Sequence, residues 1–277
     1  MDTTFKNINA GALNFEIFNA QVDTSFGVSS VIISGATDAI LIDALFLLDD
    51  AEKVALQIKE SGKNLKAIYV SHGDPDFYFG LQVFKKHFPN VAVYATSATV
   101  EHIKATSQKK LEVWGERLGD ALPNNIILPQ VLKDNTLELE GKELQIIGLG
   151  SHPKRTFIWI PYIKAIVGGI NVFGTTLNLW TADASTIEAK EQWLEILDNM
   201  LELNPEIVIP SHANQDSSFD IKAVEHTKEY LLFYINAMTA ASNSAELIEA
   251  IKTKYPNLTF ETALQLGAKV NKGEMKW

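Results

Sequence analysis

The sequence predicts an α/β fold: a sheet covered by helices, continued by antiparallel strands and closed by a helical tail. Three observations predict it. The first half alternates short β-branched runs with amphipathic stretches, and the middle turns to Ile- and Leu-rich runs cut by turn residues. From about Phe219 onward, apolar residues recur at helical spacing to the end.

Taken in order, Phe26 to Ser34 and Ala39 to Asp43 read as strands around the turn Gly35-Ala36-Thr37-Asp38. Asp49 to Gly62 has Ala51, Val54, Ala55 and Ile58 on one helical face, with Gly62 placed where a helix ends. Lys66 to Val70 is a short buried strand that stops at Ser71-His72, Gly80 to His87 a helix, and Val91 to Ala95 a further strand. Ile126 to Gly150 and Thr156 to Gly168 read as antiparallel strands, and Ile187 to Leu203 as a helix with Trp193, Ile196, Leu197 and Met200 on one face. Ile207-Val208-Ile209-Pro210 is a strand stopping at Ser211-His212. Ile221 to Ala241, Ala245 to Lys254 and Phe260 to Val270 read as helices.

Composition narrows the function. A chain of 277 residues, 46% of them hydrophobic, can bury a core without disulfides. It has no cysteine, so a metal ion would be held by His, Asp or Glu. Acidic residues outnumber basic ones 34 to 24, a net charge of −10, and no Lys/Arg run offers a local exception, so nucleic acid is not an expected partner. The start Met1-Asp2-Thr3-Thr4-Phe5 does not read as a leader, and the longest apolar runs are broken by Gly, Asp and Thr. No membrane association is expected, and the expected compartment is the cytoplasm.

The chain has six histidines, and they fall into two groups. His87, His102 and His226 lie in helical segments among charged neighbours and read as solvated surface residues. His72, His152 and His212 each follow a short β-branched run, where strand ends of α/β sheets gather ligands. The segment His72-Gly73-Asp74-Pro75-Asp76-Phe77-Tyr78-Phe79-Gly80 adds two carboxylates on a loop. If that loop is extended, His72, Asp74 and Asp76 can face one cavity, and imidazole with carboxylate suits zinc, manganese or ferrous iron. The other reading is an Asp-Pro-Asp turn with incidental charge.

The order Ser71-His72-x-x-x-Asp76, Gly150-Ser151-His152, Gly168-Gly169 and Pro210-Ser211-His212 resembles the metallo-β-lactamase fold superfamily, which includes glyoxalase II and lactonases. The resemblance runs from about residue 12 to 215 and implies a four-layer αβ/βα sandwich over residues 1–215, with 216–277 as a helical C-terminal extension. That extension would pack on the domain or on a partner subunit, with a homodimer through the apolar stripe of Ile221 to Ala241 left open. Against the family motif His-x-His-x-Asp-His, this chain has Asp74 for the second His and Phe77 for the last, and Gly169 where a metal-bridging Asp is usual.

The resemblance therefore implies one metal site from His72, Asp74 and His152, and a second reduced to Asp76 and His212. Zinc needs at least three protein ligands, so a mononuclear centre is expected: one divalent ion, zinc first, iron or manganese next. Asp76 would orient or deprotonate a water and Tyr78 would donate to an oxyanion, in a hydrolase of ester, thioester or lactone-type small molecules. The alternative is a non-catalytic ligand-binding or scaffold protein on the same fold. Asp43 reads either as a hydrogen-bond partner of a ligand histidine or as a turn carboxylate. Tyr78 and Trp180 read as pocket walls or core, and Lys154 and Arg155 as an attractor for anions or a solvated pair. The expected consequence is that Phe77→His with Gly169→Asp raises bound metal toward two per chain.

Overall fold

The computed structural model describes residues 5–276; Met1 to Thr4, read above for a leader, and Trp277 lie outside that range. Among the described residues, seven strands follow one another in sequence order across the first sheet. β1 (Lys6–Ala10), β2 (Leu13–Asn19), β3 (Ser29–Ser34) and β4 (Asp38–Ile42) form an antiparallel meander, with the short α1 (Val22–Ser25) between β2 and β3. β5 (Asn64–Tyr69), β6 (Ala92–Ala95) and β7 (Gln130–Val131) then add in parallel. Parallel neighbours need crossovers. These are α2 (Leu48–Glu60), then α3 (Pro75–Tyr78) with α4 (Leu81–His87), then α5 (Ser97–Leu118).

The second sheet runs β12-β11-β10-β9-β8. β8 (Thr136–Leu139), β9 (Lys142–Ile147), β10 (Phe157–Ile160) and β11 (Ala165–Val167) pair antiparallel. β12 (Ile207–Val208) joins β11 in parallel after the crossover helix α6 (Ile187–Glu202). The chain closes with α7 (Ile221–Ala240), α8 (Ser244–Lys254) and α9 (Glu261–Asn271).

Strand periodicity sorts the core into layers. Val31 and Ile33 of β3 and Ile40 and Ile42 of β4 meet Ile158, Ile160, Ala165 and Val167 between the two sheets. Their neighbours Ile32, Leu41 and Ile68 turn the other way, onto Val54, Ala55 and Ile58 of α2 and Val100 and Ile103 of α5. On the far side, Phe157, Trp159 and Ile166 pack under Trp193, Ile196 and Met200 of α6 together with Val224, Leu231, Leu247, Ile251 and Leu264 of the last three helices. The result is the four-layer sandwich, helices outside and sheets inside. Strands covered on both faces read as unbroken apolar runs, as β3 and β4 do.

The apolar stripe of α7 faces inward: Val224 and Leu231 are fully buried, and Met238 is 9% exposed. The stripe that left a homodimer open thus packs within the chain. Among the described residues, no helix is long and apolar enough to cross a membrane.

Two parts of the fold carry weak sequence patterns and escape the reading above. β1 and β2 form an edge hairpin whose first strand is mostly exposed, so its alternation says little. α5, though long, buries only Thr99, Val100, Ile103 and Ser107, all in its first half. Its second half packs Leu111, Trp114 and Leu118 less fully on the core and brings Lys110 to Asp74.

Candidate active site

The loops that leave β4, β5, β11 and β12 meet at one edge of the sandwich. Asp43 ties them together from below. It is 2% exposed, with φ at 63°, and its carboxylate accepts from the Ser71 amide at 2.7 Å and the Ser71 hydroxyl at 2.6 Å. The same hydroxyl accepts from the Gly169 amide at 2.8 Å, so one serine links both sheets beneath the loop that starts at His72. Asp43 therefore holds the residue before His72 rather than a histidine. Burial pushes its pKa up to about 7, against the pull of the Ser71 hydrogen bonds.

From Ser71 the loop delivers its groups to two places. His72 and Asp74 face outward, with Nδ1 3.4 Å from Oδ2, too misaligned for a hydrogen bond. The other oxygen of Asp74 accepts from the Lys110 ammonium at 2.6 Å, and that ammonium also lies 3.3 Å from His102 Nε2. Burial alone would raise the Asp74 pKa, but the charge of His72 and the charge and hydrogen bond of Lys110 hold it well below the usual carboxylate range.

Asp76, two residues on, faces inward. Pro75 starts α3, and this turn carries Asp76, Phe77 and Tyr78 into the core. Asp76 Oδ2 lies 3.6 Å from His212 Nε2, and Nδ1 of that imidazole donates to the Phe26 carbonyl at 3.1 Å. His212 stacks on Phe173 with centroids 4.9 Å apart and meets Phe77 edge-on at 5.8 Å. Burial drives the His212 pKa down to about 4, so the ring is neutral. Burial, then the charge of Asp74, raises Asp76 well above its ordinary value. The inner pair is thus an acid pushed toward its protonated form beside a neutral imidazole, both by exclusion of water.

Phe77 separates the two groups. Its ring lies 5.3 Å from the His72 ring and 5.8 Å from the His212 ring, an apolar wedge between the histidines. His152 has a neighbour of its own. It sits in the turn from Gly148 to Arg155, with Nε2 3.7 Å from Glu195 Oε2 on α6. Tyr78 is 1% exposed and its hydroxyl has no hydrogen-bond partner; burial and the charges of Asp74 and Asp76 raise its pKa. Trp180 stacks on Phe260 at 6.2 Å and donates to Asp183, beside the ring of Phe26. Arg155 is no solvated partner of Lys154: its guanidinium lies 4.4 Å over Trp193.

The histidines assigned to the solvated surface also differ from that expectation. His87 bonds Glu52 at 2.6 Å between α4 and α2, and His226 is partly buried near the Leu177 carbonyl. His102 joins the outer cluster, packed so close to Gly73 that a Cβ there would meet its ring at 2.5 Å. In the sequence His102 reads as a surface histidine and Lys110 is not singled out, since the bounds of α5 are not assigned there. The available signal was Thr96, whose hydroxyl caps the helix on the Thr99 amide at 3.1 Å and starts a helix carrying both residues two turns apart.

The paired-metal ligand set implied by the resemblance does not fit these residues. The ammonium of Lys110 already compensates Asp74, Phe77 divides His72 from His212, and His152 is directed at Glu195. Gly169 cannot simply be exchanged for a ligand either. Its φ is +78°, and a Cβ there would meet the Thr156 carbonyl oxygen at 2.2 Å. The exchange of Gly169→Asp expected above, with Phe77→His, to raise bound metal would therefore require the Thr156 carbonyl to move. Among the described residues, no three His, Cys, Asp or Glu side chains form a metal-holding group.

Comparison with known proteins agrees with the architecture. The model of the metallo-beta-lactamase superfamily matches residues 23–212. Among solved structures, a metallo-beta-lactamase from Pontibacter korlensis superposes with TM-score 0.58 at 16% identity, covering 83% of this chain and 99% of its own. DIM-1 metallo-beta-lactamase gives 0.58 at 21%, covering 86% and 99%, and VMB-1 gives 0.59 at 17%, covering 87% and 100%. No curated protein matches.

Proposed function

Because this chain belongs to the metallo-beta-lactamase superfamily, a family of metal-dependent hydrolases, we propose that it departs from its relatives at one point: its pocket binds a small molecule without a resident metal ion. The observation that carries this reading is Phe77. Its ring sits between His72 and His212, so the donors of the family's site are parted into an outer and an inner group. The outer group, His72, Asp74, Lys110 and His102, is polar and partly exposed, while the rings of Phe26, Trp180 and Phe260 gather on the side of His212. A few convergent polar groups against aromatic surface is the usual make-up of a small-molecule site.

Elemental analysis of protein purified without chelator or affinity tag, beside a His72→Ala control, tests the reading. The expected result is far less than one equivalent of zinc, iron or manganese in both samples. About one equivalent in the unaltered chain, lost in His72→Ala, would overturn it.

That second outcome corresponds to a mononuclear hydrolase of ester, thioester or lactone substrates holding one divalent ion, zinc foremost, on His72, Asp74 and His152. One observation favours it: His72 Nδ1 is buried without a hydrogen-bond partner, 3.4 Å from Asp74. The ion would have to displace Lys110 from Asp74 and draw His152 from Glu195. His152→Ala would then lose the metal and His226→Ala would keep it. Asp76 and Tyr78 would stay the candidates for orienting water and stabilising an oxyanion.

A further inference from the structure

Between β11 and α6, residues 168–186 form neither helix nor strand, yet Leu177, Asn178, Leu179 and Thr181 in that stretch are buried. A buried irregular segment must find partners for its backbone groups outside itself. From Thr176 to Thr181 it finds them in the C-terminal extension. The Asn178 amide donates to the Thr259 carbonyl at 2.9 Å, and the Thr259 amide donates to the Thr176 carbonyl at 2.8 Å. The Tyr230 hydroxyl of α7 donates to Asn178 Oδ1 at 3.1 Å, and Asn271 Nδ2 at the end of α9 donates to the Thr181 carbonyl at 3.2 Å. The helix lies so close that a Cβ on Gly267 would meet Thr181 Oγ1 at 2.4 Å. Lys190, fully buried on α6, joins the parts at one atom: its ammonium donates to the Ala184 carbonyl at 2.6 Å and to Asn271 Oδ1.

The same segment carries the partly exposed ring of Trp180. Trp180 stacks on Phe260, the residue before α9, with centroids 6.2 Å apart. Phe260 in turn lies 6.0 Å from Phe26 and 6.2 Å from His212. Both phenylalanines hold left-handed backbone, φ 61° for Phe26 and 65° for Phe260, which is unfavourable for a bulky side chain. Such strain persists where the surroundings over-determine it, and it collects at functional sites. Here it marks the place where the N-terminal meander and the extension meet beside His212. Resting on the reading that this edge binds a small molecule, we propose that the C-terminal extension is part of the site: Phe260 supplies a ring beside His212, and Asn271, held by Lys190, positions Trp180 through the Thr181 carbonyl. Asn271 and Lys190 are positioning residues in this assignment, and the aromatic side of the site keeps its shape only while α9 is docked.

Hydrogen exchange of the full chain, read by mass spectrometry over residues 174–184, tests the assignment. Asn271→Ala and Lys190→Met are compared with Lys272→Met, which removes the α9 bonds to the Met238 and Ala241 carbonyls instead. Exchange over 174–184 is expected to be at least about tenfold faster in Asn271→Ala and Lys190→Met, and within about twofold of the unaltered chain in Lys272→Met. Exchange in β3, β4 and β5 should stay unchanged in all three. Acrylamide quenching of each variant, with and without Trp180→Phe, isolates the Trp180 ring, whose quenching should rise in Asn271→Ala and Lys190→Met alone. Asn271→Ser repeats both measurements if Asn271→Ala does not fold. Unchanged exchange and quenching in the Asn271 and Lys190 variants would overturn the inference. Equal acceleration in Lys272→Met would overturn it too, since the effect would then belong to helix docking in general. Neither result alters metal content, so the binding-pocket reading stands or falls separately, by elemental analysis.

Discussion

Asp74 and Asp76 lie two residues apart on one loop, yet the surroundings drive them in opposite directions. The outer carboxylate is 19% exposed, faces Lys110 and His72, and is held charged. The inner one is 9% exposed, faces a neutral His212 under aromatic rings, and is pushed toward its protonated form. The difference teaches that a site motif can divide its labour. The inner pair works as part of the core, joining the strand ends of both sheets, while the outer cluster keeps the charge and access that binding needs.

The largest effect should come from breaking the inner half. His212→Ala removes a ring stacked on Phe173 and the hydrogen bond to the Phe26 carbonyl, and leaves a cavity between the sheets. A loss of about 3–5 kcal/mol is expected by urea denaturation. A loss below about 1 kcal/mol would mean that the inner pair is no structural element. Gly169→Asp comes next. Left-handed backbone at φ +78° and a Cβ 2.2 Å from the Thr156 oxygen should together cost about 2–5 kcal/mol. A variant as stable as the unaltered chain would show that this edge can reshape to admit a ligand.

A pH series separates the two members of the inner pair without changing shape. The folded pKa of His212 falls from 6.5 to about 4, so the unfolded chain takes the proton first. Its contribution is present above pH 6.5 and lost as pH falls toward 4, by up to about 3 kcal/mol. Asp76 has the opposite sign: its raised pKa favours the folded state at acid pH, and that stability is lost as pH rises above the ordinary carboxylate range. Asp76→Asn should therefore flatten the decline on the alkaline side and raise stability at neutral pH. Asp43, raised to about 7, leaves a residual decline. His212→Gln should flatten the acid side instead. Chemical denaturation of both variants from pH 4 to pH 8 checks the signs, and identical curves for the variants and the unaltered chain would remove the distinction.

Much of this was legible in the sequence because burial left a record there. β3, β4 and β5 are apolar runs since helices and the second sheet cover both faces, and the three strand-end histidines were visible for the same reason. Phe77 and Gly169 could be seen as departures from a motif. That the ring of Phe77 would stand between His72 and His212, or that Thr156 would crowd Gly169, depends on contacts between segments far apart in the chain. Lys110 and His102 were hidden more deeply. They lie on a helix whose apolar residues are only partly buried after Ser107, and neither His102 nor Lys110 is on that apolar face.

The smallest predicted effect falls on the residue about which sequence and structure differ most in emphasis. His152 occupies a family position, yet its recorded ion-pair neighbour is Glu195, itself 68% exposed, at 3.7 Å. A pair with one end in water contributes at most about 0.5 kcal/mol, since solvent screens it and both side chains must be ordered. The backbone of the turn is fixed separately, by the His152 amide on the Gly148 carbonyl and the Arg155 amide on the His152 carbonyl, both at 2.8 Å. His152→Ala preserves those bonds. It should shift stability by no more than about 0.5 kcal/mol in metal-free buffer, and added zinc should not separate the variant from the unaltered chain. A zinc-dependent gap between them would pull His152 back to the outer cluster and make a third imidazole, beside His72 and His102, part of its chemistry.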